Sequence, residues 1–353
     1  MTLQEYSMRK ETHFNHTRLS HGICISNKCN NWLNVNATKD LKLEVEGCLN
    51  DTFWNEYKLR TRLNEDPICS DGDAMKLEPA DIAAAVVFIC LILLNLIGNL
   101  YDFFIVKNND EANRYLLCFS IKRNWIRLTE APGNNAEPQS KCLRGLNGLK
   151  AITILLVIVE HSPLTFVVAL DNPYAFEKMF DNLLYHILLD GAVAVQTFFI
   201  LSGCLLAYQL QKSSEKENLS WKMIPKLILY RYLRLTPTYT IVLIFTMTWI
   251  RFSGSGPFWQ KTIRPEVRDC RRYGWINLIY INNYYDNTQC MAHTWYLAAD
   301  MQLYILGVFT LVLAKTDYAR KVALSLLFLV TFSLPAFHTY FQNLHAHIIL
   351  APE

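Results

Sequence analysis

Long apolar stretches alternate with polar, charged segments along this chain of 353 residues. Each stretch is close to the ~20 residues that a membrane-spanning helix needs, and the charges gather between the stretches. The pattern predicts an all-α, polytopic transmembrane helical bundle of about six spans. The apolar stretches are 82–101, 149–170, 191–210, 235–250, 295–314 and 322–341, the fourth being short unless it extends towards Tyr230.

The polar segment before the first span, residues 1–80, combines four cysteines with three Asn-x-Ser/Thr sequons. This combination is typical of an oxidising lumenal or extracellular segment, although sequons also arise by chance. The spacing leaves the connectivity of these cysteines open. The candidate disulfide cysteines here are Cys24, Cys29, Cys48 and Cys69, and the candidate glycosylation sites are Asn15, Asn36 and Asn50.

The basic loops set the expected orientation. Segments 107–144 and 212–234 are rich in lysine and arginine, and the positive-inside rule places them in the cytosol. Segment 251–293 is also basic, but alternation of the spans places it in the lumen, and Cys270 and Cys290 favour a disulfide there. We therefore expect a multi-pass protein of the endoplasmic reticulum or plasma membrane with a lumenal or extracellular N-terminus. A net charge of +3 with no basic, aromatic patch argues against nucleic acid as a partner.

The second span carries ionisable residues at its middle, Glu160 and His161. From Lys150 to His161 is eleven residues, or ~16 Å of helix, which is about half of a ~30 Å hydrocarbon core. Such groups are costly at that depth and usually face a protein interior or a watery cavity. The alternative is a histidine buried for packing and hydrogen-bonded to a neighbouring helix. We favour a functional residue.

Several motifs, in order along the chain, resemble the acyltransferase 3 family, and the later ones resemble its animal nose-resistant-to-fluoxetine branch. This sequence departs from the family pattern at Lys150, which replaces an arginine, and at Ala299 and Cys204. The family pattern also has a longer lumenal domain before this sequence and further membrane helices after it. The resemblance therefore implies a member shortened at both ends. The motifs are RGLNGLKA at 144–151 followed by His161, FFILSG at 198–203, YRYLRLTP at 230–237, NLIYINN at 277–283 and WYLAADMQLY at 295–304.

The resemblance implies a division into a lumenal tail of a cysteine-rich domain (1–80), a first transmembrane helix (81–106) and a cytosolic basic linker (107–144). The rest, residues 145–353, would be a partial acyltransferase membrane domain of five spans.

An acyltransferase needs a base for the acceptor hydroxyl, and the resemblance makes His161 that base. Glu160 is a further catalytic candidate, but it points about 100° away from its neighbour on a helix and is a poor orienting partner unless Pro163 distorts the turn. Asp300 lies about one and a half helical turns after Trp295, which places it in the lumenal half of the membrane. It is expected either to orient or charge the site, or to pair with an arginine such as Arg251 or with backbone groups. Ser202 is a conceivable nucleophile, but Ser202-Gly203 more often permits close helix packing.

A basic cluster at the expected cytosolic edges of spans two and four is the candidate donor site. Its members are Arg144, Lys150, Arg231 and Arg234. Phosphates of a donor such as acyl-coenzyme A would need such charges, and contact with anionic lipids is the alternative. We expect acyl-coenzyme A as co-substrate, with no bound cofactor and no metal.

The resemblance thus implies an integral membrane acyltransferase that moves an acyl group from a cytosolic acyl-coenzyme A-type donor to a hydroxyl acceptor. The alternatives are a transport or uptake protein for lipids or small molecules that uses the same membrane cavity, or an inactive paralogue. Expected partners are membrane lipids, the acyl donor and the acceptor, whose identity the sequence does not give. Protein partners are not indicated.

Overall fold

The computed structural model describes residues 3–8, 13–18, 22–24, 27, 29, 41–63, 76–106, 113–129, 138–167, 172–179, 182, 185, 191–216 and 220–343. Within these ranges the chain forms helices and no strand, which confirms the all-α prediction. The helices are α1 (Leu3–Ser7), α2 (Leu41–Tyr57), α3 (Pro79–Phe104), α4 (Arg114–Leu117), α5 (Ile121–Thr129), α6 (Pro138–Val167), α7 (Pro173–Met179), α8 (Gly191–Lys216), α9 (Met223–Met247), α10 (Pro257–Leu278), α11 (Trp295–Leu313) and α12 (Asp317–Gln342).

Among the described residues, five helices are long and apolar enough to cross a membrane, so the protein is a multi-pass membrane protein. The span predicted at 235–250 begins in α9, which is 25 residues long, and ends in the 3-10 turn Trp249–Phe252. Helix α9 is not one of the five. Arg231 and Arg234 in its first half lower its mean apolar character. The five segments are Pro79–Phe104, Gly145–Ser162, Ala194–Glu215, Ala292–Leu313 and Asp317–Gln342.

Helix α8 lies centrally, because both α6 and α11 pack against it, while α9 packs against α10 and α11. A buried cluster that includes Leu206, Ile224 and Val308 joins α8, α9 and α11. A second cluster joins α9, α10 and α11 around Cys270 and Cys290. Burial of such aliphatic side chains fixes these helices relative to one another.

A set of ion pairs ties the start of α3 to the segment after α9. The Asp81 carboxylate, which is fully buried, accepts a hydrogen bond from Arg251 and lies 3.6 Å from Arg271. Glu78 binds the same two arginines, at 2.8 Å and 2.7 Å. These contacts place the N-terminal end of the first span on the same side of the bundle as the basic segment 251–293. Alternation of the spans predicted that shared side.

Three groups from the N-terminal segment bind one carboxylate on α7, the short helix that follows α6. Glu177 accepts hydrogen bonds from the Tyr6 hydroxyl at 2.7 Å, the Phe14 amide at 2.5 Å and His16 Nε2 at 2.9 Å. Its carboxylate is buried. The N-terminal segment therefore docks directly on the connection that follows the helix carrying His161.

Two disulfides join described cysteines. Cys270 and Cys290 are bonded at 2.06 Å, which confirms the predicted pair. In the N-terminal segment Cys29 pairs with Cys48, which settles one connection that the spacing left open. Cys24 is exposed, and Cys69 lies outside the described residues.

The glycosylation candidates differ in their surroundings. The Asn15 carboxamide oxygen accepts hydrogen bonds from the amide and hydroxyl of Thr17 in an exposed turn. The Asn50 oxygen is half-buried and accepts from the Thr61 amide at 2.6 Å. Asn36 lies outside the described residues. Both described sequon asparagines are half-buried.

Candidate active site

Arg231 on α9 forms a polar cluster with side chains from two other helices, α8 and α11. Its guanidinium donates hydrogen bonds to the Asp300 carboxylate on α11 and, at 3.1 Å, to the Ser202 hydroxyl on α8. The guanidinium carbon lies 4.1 Å from the centre of the Tyr304 ring. Tyr304 and Asp300 can both reach Arg231 because residues four apart on a helix share a face.

The Arg231–Asp300 pair is largely removed from solvent, with 19% of the arginine side chain and 15% of the aspartate side chain exposed. The arginine Nε is buried and has no hydrogen-bond partner in the described part of the chain. Taking two charges out of water often costs more than their attraction returns, so such a pair is weak evidence for stability. Charged residues inside membrane helices are by default candidates for function.

The sequence placed Arg231 with the donor cluster at a cytosolic edge and Asp300 in the lumenal half of the membrane. The structure brings the two into contact. Asp300 thus pairs with an arginine, as one alternative predicted, but the arginine is Arg231. Arg251 instead pairs with Asp81.

The surroundings of Ser202 and Gly203 differ from the close helix packing that the sequence predicted for them. The Ser202 hydroxyl accepts a hydrogen bond from Arg231. A Cβ atom added to Gly203 would meet no described atom within 4 Å. The described residues therefore make no close helix contact at Gly203. The small residue that does allow close approach is Gly307 on α11, where an added Cβ would lie 2.9 Å from the Leu206 side chain.

His161 lies near the end of α6 with 43% of its side chain exposed. Its Nδ1 lies 2.9 Å from the Val157 carbonyl oxygen, one turn earlier. A carbonyl only accepts, so this contact puts the proton of a neutral imidazole on Nδ1 and leaves Nε2 with a free lone pair. A histidine held in this way can take a proton at Nε2.

Glu160 reaches His161 despite its position next to it in sequence. Its Oε2 lies 3.4 Å from His161 Nδ1 but makes no hydrogen bond to it, so the Val157 carbonyl rather than Glu160 orients the ring. The long glutamate side chain overcomes the 100° offset of the two Cα–Cβ bonds. This oxygen is buried and has no hydrogen-bond partner among the described residues, and it can therefore stabilise a positive charge on the imidazole.

His293 is a second histidine near the site that the sequence did not single out. It lies in a short 3-10 turn, Ala292–Thr294, between the disulfide at Cys290 and the start of α11. It lies close enough to His161 for positive charges on the two imidazoles to repel each other. The sequence signal that could have indicated His293 was its position between Cys290-Met291 and the motif that begins at Trp295.

The other basic donor candidates do not gather around Arg231 in the described contacts. Lys150 is half-buried on α6, and Arg234 is exposed on α9. The Arg144 side chain lies outside the described part of the structure. Nor does the described part of the chain contain a group of three histidine, cysteine or acidic side chains positioned to hold a metal ion.

Comparison with known proteins identifies the membrane domain. Residues 143–350 match the family described as an acyltransferase domain. The chain belongs to the acyltransferase 3 family. The matched range contains His161, Arg231 and Asp300, and it begins after α3. The Asp81 ion pairs therefore connect a helix outside the acyltransferase 3 domain to that domain.

Two relatives from Caenorhabditis elegans show similarity to this acyltransferase 3 chain. "Nose resistant to fluoxetine protein 6" is 30% identical over 339 residues, which cover 87% of this chain and 39% of that protein. "Regulator of hypoxia-inducible factor 1" is 28% identical over 222 residues, covering 59% of this chain and 40% of that protein. The first similarity supports the branch that the motifs indicated. The chain thus spans about two fifths of both relatives, and no solved structure matches it.

Proposed function

We propose that the protein is a membrane acyltransferase that moves an acyl group from a phosphate-bearing thioester, such as acyl-coenzyme A, to a hydroxyl acceptor. The acceptor oxygen attacks the thioester carbonyl carbon while His161 Nε2 takes the hydroxyl proton. The carbon–sulfur bond then breaks, and the proton passes to the departing thiolate. An ester and a free thiol are the products.

The observation that carries the proposal is the His161 geometry. The contact of Nδ1 with the Val157 carbonyl leaves Nε2 as the basic atom, and the Glu160 carboxylate at 3.4 Å stabilises the imidazolium that forms. An imidazole is the side chain best suited to accept and return a proton near neutral pH. Depth in the membrane alone would also fit a structural histidine, but a structural role does not require a free Nε2.

The Arg231 cluster supports a role in holding the donor. The buried Nε of Arg231 is a hydrogen-bond donor without a described partner, and Asp300 and Tyr304 hold the guanidinium in place. Helix α8, which supplies Ser202 to this cluster, also packs against α6, which carries His161. A donor carbonyl or phosphate bound at Arg231 would therefore lie next to α8, which packs against α6, the helix that carries the proposed base His161.

The test uses the protein in microsomes with radiolabelled acyl-coenzyme A. His161→Ala should lower turnover by about 10²–10⁴-fold, with abundance and membrane insertion unchanged. His338→Ala is the matched control, because His338 is an exposed histidine in the candidate span Asp317–Gln342. Full acyl transfer by the His161 variant would show that this histidine is structural.

The transport alternative retains one supporting observation, the name of the first relative, which refers to fluoxetine resistance. It differs in what happens to the donor. A transport protein binds or moves its ligand without breaking the thioester, so binding of acyl-coenzyme A with no thiol release would favour it.

A further inference from the structure

A groove opens between the last turns of α8 and the first turns of α9. Its volume is about 360 Å³, which lies at the lower end of the ~300–1,000 Å³ typical of ligand pockets. Three leucines and several polar side chains line it. The lining includes Leu206, Leu210, Leu227, Tyr208, Lys212 and Ser213.

The apolar floor of the groove connects it to the Arg231 cluster. Leu206 and Leu210 are 5% and 4% exposed, and they belong to the same buried cluster as Tyr304. The face of the Tyr304 ring carries the Arg231 guanidinium. Leu206 is also one helical turn after Ser202, which binds Arg231. The groove and the polar cluster are therefore neighbours across one tyrosine ring.

The position of the groove along α11 places it away from the disulfide. Asp300 lies five residues after Trp295, or ~7.5 Å along the helix, and Gly307 lies twelve residues after it, or ~18 Å. Leu206 of the groove faces Gly307, whereas Cys290 precedes α11. The groove thus opens towards the end of the bundle opposite the disulfide, which is the cytosolic end when the disulfide is lumenal.

The charge around the groove is mainly positive. Lys212 is part of its wall, and exposed Lys222 and Lys226 lie at the beginning of α9. Among the described residues there, Glu215 on the last turn of α8 is an opposing exposed carboxylate. An apolar floor with a basic rim matches a ligand with a hydrocarbon part and phosphate groups.

We propose that this groove is the donor site, with the acyl chain on the leucine floor and a donor phosphate at Lys212. This inference rests on the proposed acyltransferase function and adds the donor's location and class to it. The donor is a phosphate-bearing acyl thioester whose acyl chain is of short or medium length, in keeping with the small volume. Its thioester would then lie on the Tyr304 side, next to Arg231.

Photolabelling tests the location. An acyl-coenzyme A with a diazirine at the end of its acyl chain is irradiated with the protein in microsomes, and the labelled peptides are mapped by mass spectrometry. The label should fall within 201–216 or 220–234. Excess unlabelled acyl-coenzyme A should remove it, and phosphatidylglycerol vesicles should not.

Two glycine variants test the size of the groove. In Gly307→Ala the new methyl group would lie 2.9 Å from the flexible end of Leu206 and push that side chain into the groove. The donor KM should rise several-fold, more for longer chains than for acetyl-coenzyme A. Gly203→Ala is the matched control, since its Cβ would meet no described atom within 4 Å, and it should leave KM unchanged.

Lys212→Ala should raise the donor KM with little change in kcat, and Lys212→Arg should restore it. The Lys212→Ala variant provides a second readout if the Gly307→Ala protein fails to accumulate.

The outcomes separate this inference from the proposed function. If acyl transfer occurs but the label maps elsewhere, or vesicles displace it, the groove is not the donor site while the acyltransferase proposal stands. If acyl-coenzyme A neither labels the protein nor turns over, both proposals fail.

Discussion

Asp81 and Glu78 offer a direct test of how the first span is attached to the acyltransferase 3 domain. Both carboxylates bind the same two arginines, Arg251 and Arg271. The Asp81 side chain is 0% exposed, whereas that of Glu78 is 45% exposed. The perturbations are Asp81→Asn and Glu78→Gln, which remove one negative charge each while nearly preserving shape.

The expected magnitudes follow from burial. Removing one partner of a buried ion pair costs about 3–5 kcal/mol, because the other charge stays buried without compensation. Arg251 is 17% exposed and keeps its 2.8 Å contact with Glu78 after the change, so we expect the lower end, about 3 kcal/mol. Loss of the exposed Glu78 charge should have a much smaller effect, because water replaces the contact.

The assay is the fraction of protein that stays monodisperse in mild detergent after heating, measured for both variants in parallel. Asp81→Asn should lower the apparent Tm by about 6 °C, well beyond the change in Glu78→Gln. The double variant Asp81→Leu, Arg251→Met should recover most of the loss, since Arg271 keeps Glu78 and no buried charge remains alone. An Asp81→Asn loss no larger than that of Glu78→Gln would refute the buried-pair reasoning.

Three further predictions concern the same side of the bundle. Cys270→Ser should lower stability by about 3 kcal/mol, the chain-entropy value for a closed loop of this length, and peptide mapping without reductant should show the Cys270–Cys290 link in the native protein. Burial raises the pKa of Glu177, but the hydrogen bonds that its carboxylate accepts outweigh this, and the pKa lies below its ordinary value. Docking of residues 3–8 and 13–18 is therefore stabilised above the ordinary glutamate pKa and weakens as pH falls below about 4. The protection of these residues against hydrogen exchange, corrected for the intrinsic exchange rate at each pH, should fall on acidification, and Glu177→Gln should show the loss already at neutral pH. Glycosidase treatment of protein made in microsomes should increase its gel mobility through loss of a glycan on Asn15, and an unchanged mobility would count against the lumenal N-terminus.

The sequence predicted those features that depend on local pattern. Apolar length located five spans, and an even pair of cysteines in one loop located the disulfide at Cys270 and Cys290. The family motifs selected Arg231 and Asp300 as site residues. Such signals lie within one helix or one loop, so no knowledge of tertiary packing was needed.

The contacts that define the site depend on packing between distant segments. Arg231 and Asp300 are 69 residues apart, and no spacing rule indicates that they meet. Placing each by its depth in its own helix assigned them to opposite regions. His293 escaped notice because it lies in a short turn, whose location is set by the disulfide and by the packing of α11.

The most direct test of the central claim follows both halves of one donor. Acyl-coenzyme A labelled with ¹⁴C in the acyl group and ³H in the coenzyme is incubated with microsomes that contain the wild-type protein or His161→Ala. For the wild type we predict that ³H appears as free thiol in step with ¹⁴C in an alkali-labile ester, and that the variant loses both. Retention of both labels in intact thioester, bound or moved across the membrane, would contradict acyl transfer.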